Sequence, residues 1–129
     1  FANKVRKLTN GDGAHCIYDS VGKNTWSESL KSVRLRGSII NFGSASGNPP
    51  SMDIAATGPL GSPYIARCAL VNYTTSRNEL MMRARDLFKA IESGAVKIRI
   101  NQRYPLKDAA KAHNDIESRR TTGSTVLIP

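Results

Sequence analysis

Apolar residues in "FANKVRKL" recur at Phe1, Val5 and Leu8, the spacing of one face of a helix, and Asn10-Gly11-Asp12-Gly13 supplies the turn conformations that stop it. The run "HCIYDSVG" at 15–22 predicts a strand over about 14 to 19 that ends on a turn of small residues. A short helix from Asn24 follows, with Trp26, Leu30 and Val33 on one side, and "RLRG" leads into "SIINFG", an apolar strand ending on glycine. Two strands joined by one helix make a parallel βαβ unit with a right-handed crossover.

Residues 44–63 are rich in proline and glycine and predict an ordered loop with one helical turn. "YIARCALV" reads as a third strand. Ser76-x-x-Glu79 has the capping-box pattern, and Leu80, Ala84, Leu87, Phe88 and Ile91 keep one apolar stripe until Gly94. "VKIRI" at 96–100 alternates like a half-exposed strand. A further helix over 107–118 turns Ala109, Ala112, His113 and Ile116 inward, and "STVLIP" is a closing strand. The order β-α-β-loop-β-α-β-α-β predicts an α/β fold whose helices cover a mostly parallel sheet.

Composition narrows the function. No apolar run approaches the ~20 residues of a membrane span, so a membrane protein is not expected. The first residue is Phe1, with neither an initiator Met nor a signal pattern, which leads us to expect a piece of a longer chain. Nineteen Lys plus Arg against ten Asp plus Glu give a net charge of +9, which favours a polyanionic partner. The basic residues nevertheless fall in separate predicted elements (Lys4, Arg6 and Lys7; Arg34 and Arg36; Arg83 and Arg85; Lys97, Arg99 and Arg103), as on a solvated surface. A basic RNA-binding module remains the rival of another class, although the aromatics are not interleaved with the charges as a stacking platform requires. Cys16 and Cys68 lie far apart in apolar surroundings and read as reduced core thiols of a cytoplasmic protein. No Cys/His spacing suggests a metal site.

Candidate chemistry clusters at strand ends. His15 and His113 can titrate near neutrality, but neither has a partner at a spacing that implies a dyad or triad, so both read as structural. Asp19-Ser20 ends the first strand, either as a turn or helix cap or with a side chain facing a ligand. "NFGSASG" at 41–47 places Gly43 and Gly47 around small residues, which permits close backbone approach after a parallel strand. The loops after the first two strands share one edge of the sheet, where open α/β folds bind ligands. Arg119 to Ser124 form a cationic turn that reads first as a surface turn.

Together, "YDSVGKNTW", "GSIINFGSASG", "ELMMRARDLFKAIESGAVKI", "RYPLKDAAKAH" and "ESRRTTGSTVLIP" resemble the C-terminal part of zinc-independent quinone oxidoreductases of the zeta-crystallin type, in the medium-chain dehydrogenase/reductase superfamily. The resemblance implies that residues 1–95 are the C-terminal half of an NADPH-binding Rossmann domain, the second half of a doubly wound parallel sheet. Residues 96–129 would return to a catalytic domain. It implies NADPH as cofactor and a quinone as acceptor, with reductases of activated alkenes as the alternative, and leaves the fragment alone inactive. Ser20 matches a position near the cofactor, Phe42 and Gly43 the backbone that meets the nicotinamide end, and Arg119 a tail arginine on the cofactor's phosphates. Ala45 replaces a serine common in the family, and Cys68 a proline. The strand at 63–70 would pair with its symmetry mate in a homodimer.

Overall fold

Gly11 and Gly13, at φ 95° and 85°, turn the chain out of helix α1 (Ala2–Leu8) and into strand β1 (Ala14–Asp19). A Cβ at Gly13 would meet the Ser32 carbonyl oxygen at 2.7 Å, so only glycine passes there. The computed structural model describes residues 1–129, which divide into two compact units, Phe1–Ser76 and Arg77–Pro129.

In the first unit β1 leads through helix α2 (Trp26–Ser32) into strand β2 (Val33–Asn41). A long loop with a 3-10 turn at Ile54–Thr57 then reaches strand β3 (Tyr64–Arg67). The three strands are parallel in the order β1-β2-β3. Trp26, Val33 and Ile39 form the buried core, with Ile17, Leu30 and Met52 packed against it. Ile39 is 0% exposed. Gly37, Ile39 and Asn41 alternate inward along β2, so α2 covers one face of the sheet.

Four expectations for this unit change. Val33 begins β2 instead of ending α2, because its extended backbone (ψ 143°) breaks the helix after Ser32. Strand β2 also starts earlier than "SIINFG" suggested, with a bulge against β1 where Arg36 takes φ 55°. Strand β3 stops at Arg67, since the chain turns into a 3-10 turn at Leu70–Tyr73. Neither cysteine is a core residue: Cys16 and Cys68 are half-buried and free, with the Cys68 sulfur 3.2 Å from the Tyr73 hydroxyl.

The second unit contains helix α3 (Arg77–Glu92), strand β4 (Ile100–Pro105), helix α4 (Ala109–Glu117) and strand β5 (Ser124–Ile128). Strands β4 and β5 pair in parallel, as the helix between them requires. "VKIRI" is not the strand. Val96 still closes the end of α3, donating to the Ala90 carbonyl at 3.0 Å around Gly94, and ladder pairing begins only at Ile100. On α4 the buried residues are Ala112 and Asp115, whereas His113 and Ile116 are exposed. The α3 stripe keeps its helical spacing but stays uncovered, with Phe88 61% exposed. The chain is therefore α/β with parallel pairing throughout. No helix is long and apolar enough to cross a membrane.

Candidate functional site

All three strands of the first unit end in polar residues at matching register. Asp19 pairs with Asn41, and Asn41 with Arg67. Asp19 is buried, and its carboxylate accepts from the Val21 and Gly22 amides at 2.9 Å each, from the Thr25 hydroxyl at 2.8 Å and from the Ser29 hydroxyl at 2.9 Å. Burial pushes the carboxyl up, but the donors from Gly22, Thr25, Val21 and Ser29 together outweigh it and hold Asp19 below its ordinary 3.8. Asp19 is thus the turn and cap residue, and Ser20 beside it is left exposed at the surface. The two readings of this dipeptide separate onto its two residues.

The loops after β1 and β2 zip together backbone to backbone. The Phe42 amide donates to the Asp19 carbonyl at 2.9 Å, and the Ala45 amide to the Ser20 carbonyl at 3.3 Å. The Ser46 amide and hydroxyl both donate to the Val21 carbonyl, at 2.9 and 2.8 Å, while the Lys23 amide donates to the Gly47 carbonyl at 3.0 Å. A Cβ on Gly43 would collide with the Ser20 carbonyl oxygen, and one on Gly22 with that of Gly47. These glycines are small because backbone occupies the space a side chain would need. The result brings Ser20, Phe42 and Gly43 into one rim at the carboxyl end of the sheet, with the Phe42 ring 52% exposed. Arg119 lies in the second unit, exposed on the turn between α4 and β5 at φ 56°.

Two residues at this edge escaped the sequence reading. The Asn41 amide nitrogen donates to the Asp19 carbonyl at 3.2 Å and to the Gly43 carbonyl at 2.9 Å. Its oxygen accepts from the Arg67 guanidinium, which also reaches the Gly43 carbonyl at 3.0 Å and the Ser44 hydroxyl at 3.2 Å. Arg67 and Asn41 therefore tether the loop that carries Gly43. The available signal was a polar residue closing each apolar run ("CIYD", "SIIN", "YIAR"). A groove of about 320 Å³ opens beside them between Trp26, Asn48 and Ile65, and the buried Trp26 indole N–H has no partner.

Chemically, the rim offers the exposed Ser20 side chain and Phe42 ring at the carboxyl end of parallel strands, where open α/β folds bind ligands. His15 contacts Arg34 at 2.6 Å and lies at the start of β1, away from this edge. No three His, Cys, Asp or Glu side chains converge to hold a metal ion.

The family described as "Zinc-binding dehydrogenase" matches residues 1–127. A quinone oxidoreductase of Pseudomonas aeruginosa is 44% identical over 128 residues, covering 99% of this chain and 39% of that protein. A 2-haloacrylate reductase of a Burkholderia species is 38% identical over 130 residues, covering 100% of this chain and 39% of that protein. Among solved structures, Escherichia coli quinone oxidoreductase complexed with NADPH superposes at a TM-score of 0.91 with 39% identity, over 99% of this chain and 40% of that one. A mycobacterial protein complexed with NADPH gives 0.93 with 44% identity, over 99% and 39%. The chain spans about two-fifths of the length of these relatives.

Proposed function

Because the chain belongs to the zinc-binding dehydrogenase family, we propose that it forms the C-terminal part of an NADPH-dependent quinone oxidoreductase. Residues 1–95 complete the NADPH-binding Rossmann domain, and residues 96–129 return to a catalytic domain. The observation that carries this reading is the rim of Ser20, Phe42 and Gly43 at the carboxyl edge of parallel strands, in a chain similar over 99% of its length to two proteins solved with NADPH. A quinone is favoured over an activated alkene because the quinone oxidoreductase relative is 44% identical and the haloacrylate reductase 38%.

Bound NADPH supplies the hydride. This chain's residues orient it: Ser20 lies near the cofactor, the Phe42–Gly43 backbone meets the nicotinamide end, and Arg119 engages the phosphates as a permanently charged fork of donors. The Asp19 network and the Arg67–Asn41 tether keep that rim at a fixed position, which is the protein's share of a positioned transfer. The family carries zinc in its description, yet the donor residues of this chain do not fit a zinc site. The outer edge of β3 is the surface for homodimer pairing, and the compartment is the cytoplasm.

The experiment is NADPH oxidation by the whole protein with a quinone and, separately, with 2-haloacrylate. Faster turnover with the quinone is expected. Preference for the haloacrylate selects the alkene reading, and absence of NADPH binding overturns both. The isolated chain should bind NADPH weakly, and a submicromolar Kd (about −8 kcal/mol or tighter) contradicts the fragment reading. Salt-sensitive binding of single-stranded RNA by the isolated chain favours the rival class.

A further inference from the structure

Helix α4 ends in a way its sequence does not advertise. The Arg120 amide donates to the Asp115 carbonyl and the Arg119 amide to the Ile116 carbonyl, both at 3.0 Å. This is the paired closure that normally places glycine at the left-handed position. Here that position is Arg119, at φ 56°. A long side chain adopts this conformation only where its surroundings hold it.

The surroundings are visible. Asp115 is 8% exposed. One of its carboxylate oxygens accepts from the Tyr104 hydroxyl at 2.8 Å and from Lys111 at 2.7 Å, and the other pairs with the Arg120 guanidinium at 2.7 Å. Arg120 is thus fastened to Asp115 twice, by backbone and by side chain. At the far end of the turn, Asn101 donates to the Thr122 hydroxyl at 2.9 Å, and a Cβ on Gly123 would meet the Arg99 carbonyl oxygen at 2.6 Å. Between two fixed ends, Arg119 is the cation of the turn that the Asp115 hub leaves unengaged.

We propose that Asp115 and Arg120 are positioning residues that hold Arg119 in its left-handed conformation and aim its guanidinium at a phosphate-bearing ligand. This rests on the reading of Arg119 as a cofactor-phosphate residue and adds the apparatus that presents it. Neither Asp115 nor Arg120 touches the ligand. Their effect is on how much of the binding energy is spent ordering the turn, which appears in affinity and not in the turnover of bound substrate.

The test uses the whole protein carrying Arg120→Ala, Arg120→Lys, Asp115→Asn or Arg119→Gly. Arg120→Ala and Asp115→Asn should raise the KM for NADPH about fivefold or more with kcat unchanged within about twofold. Arg120→Lys should recover most of the loss, because an ammonium still meets the Asp115 carboxylate. Independently of any ligand, amide exchange at 118–123 should quicken about tenfold in Arg120→Ala. If Arg119→Gly raises KM and Arg120→Ala and Asp115→Asn do not, the positioning role is overturned. If Arg119→Gly leaves KM unchanged, the phosphate role of Arg119 fails, and unchanged exchange in Arg120→Ala then removes the positioning role as well.

Discussion

The two units of this chain are held together by different means. Phe1–Ser76 closes around Ile39, Val33 and Trp26, and its polar network at Asp19 sits on top of that core. Arg77–Pro129 buries only Ala112 among its apolar side chains and is organised around the carboxylate of Asp115. Each unit uses one buried aspartate to shape one turn. The first turn stands on a packed sheet, and the second on charge pairs whose cationic partners are themselves solvated. A rim built on a core is rigid whatever covers it. The α3 stripe of the second unit, by contrast, is an exposed apolar face.

The largest effect that separates the units is truncation of an apolar residue. Ile39→Ala should destabilise the first unit by about 3–4 kcal/mol, since it empties a fully enclosed site. Phe88→Ala on the exposed α3 stripe should cost less than about 0.5 kcal/mol in this chain. Chemical denaturation of the two variants checks the contrast, and equal losses would break it.

Next comes the buried aspartate. Asp19→Ala strands two amides and two hydroxyls and should cost about 3 kcal/mol in the first unit. Gly22→Ala, at φ 86° and facing the Gly47 carbonyl, should cost at least ~1–2 kcal/mol and loosen amide exchange at 43–47. A Gly22→Ala variant with native exchange there would show that the two loops are not zipped.

The smallest and most discriminating difference is in pH. Asp19 has a folded pKa below its ordinary 3.8, so its contribution is complete above about pH 4 and is lost as pH falls through the folded value. Asp115 behaves likewise, lowered by the hydrogen bonds from Lys111 and Tyr104. The second unit also has an alkaline limit. Hydrogen bonding to Asp115 raises Lys111 above 10.5 and Tyr104 above 10.0. That contribution is full below those ordinary values and disappears as pH rises through the folded ones. Amide exchange followed against pH should show acid loosening in both turns and alkaline loosening at 118–123 alone. Alkaline loosening of the β1–α2 turn would contradict the assignment.

Much of this architecture was legible from spacing. The helical spacing of α1 and α3, the strand at 14–19 and the closing strand follow from periods of 3.6 and 2, although α1 buries Ala2 and leaves Phe1 and Leu8 exposed. The errors have physical causes. Val33 suits a helix face and a strand start equally, and only the backbone break after Ser32 decides. "VKIRI" alternates, but the closure of α3 reaches Val96 and delays the strand to Ile100. His113 and Ile116 fall on the face that apolar spacing turns inward, whereas the buried face runs through Ala112 and Asp115. The loops at 20 and 43 could be picked out from spacing, and Ser20, Phe42 and Gly43 within them are named as cofactor residues by the family resemblance alone. Asn41 and Arg67 could not, because their role exists only once three strands are in register. The left-handed Arg119 was equally hidden, since arginine carries no preference for that conformation.

The rim at the carboxyl edge of the sheet as the nicotinamide-end site is tested most directly by titrating NADPH into the whole protein with Gly43→Ala. The added methyl must displace the Ser20 backbone. A Kd at least about tenfold weaker than that of the unsubstituted protein, or ~1.4 kcal/mol, is expected. An unchanged Kd in a variant that melts normally would contradict it.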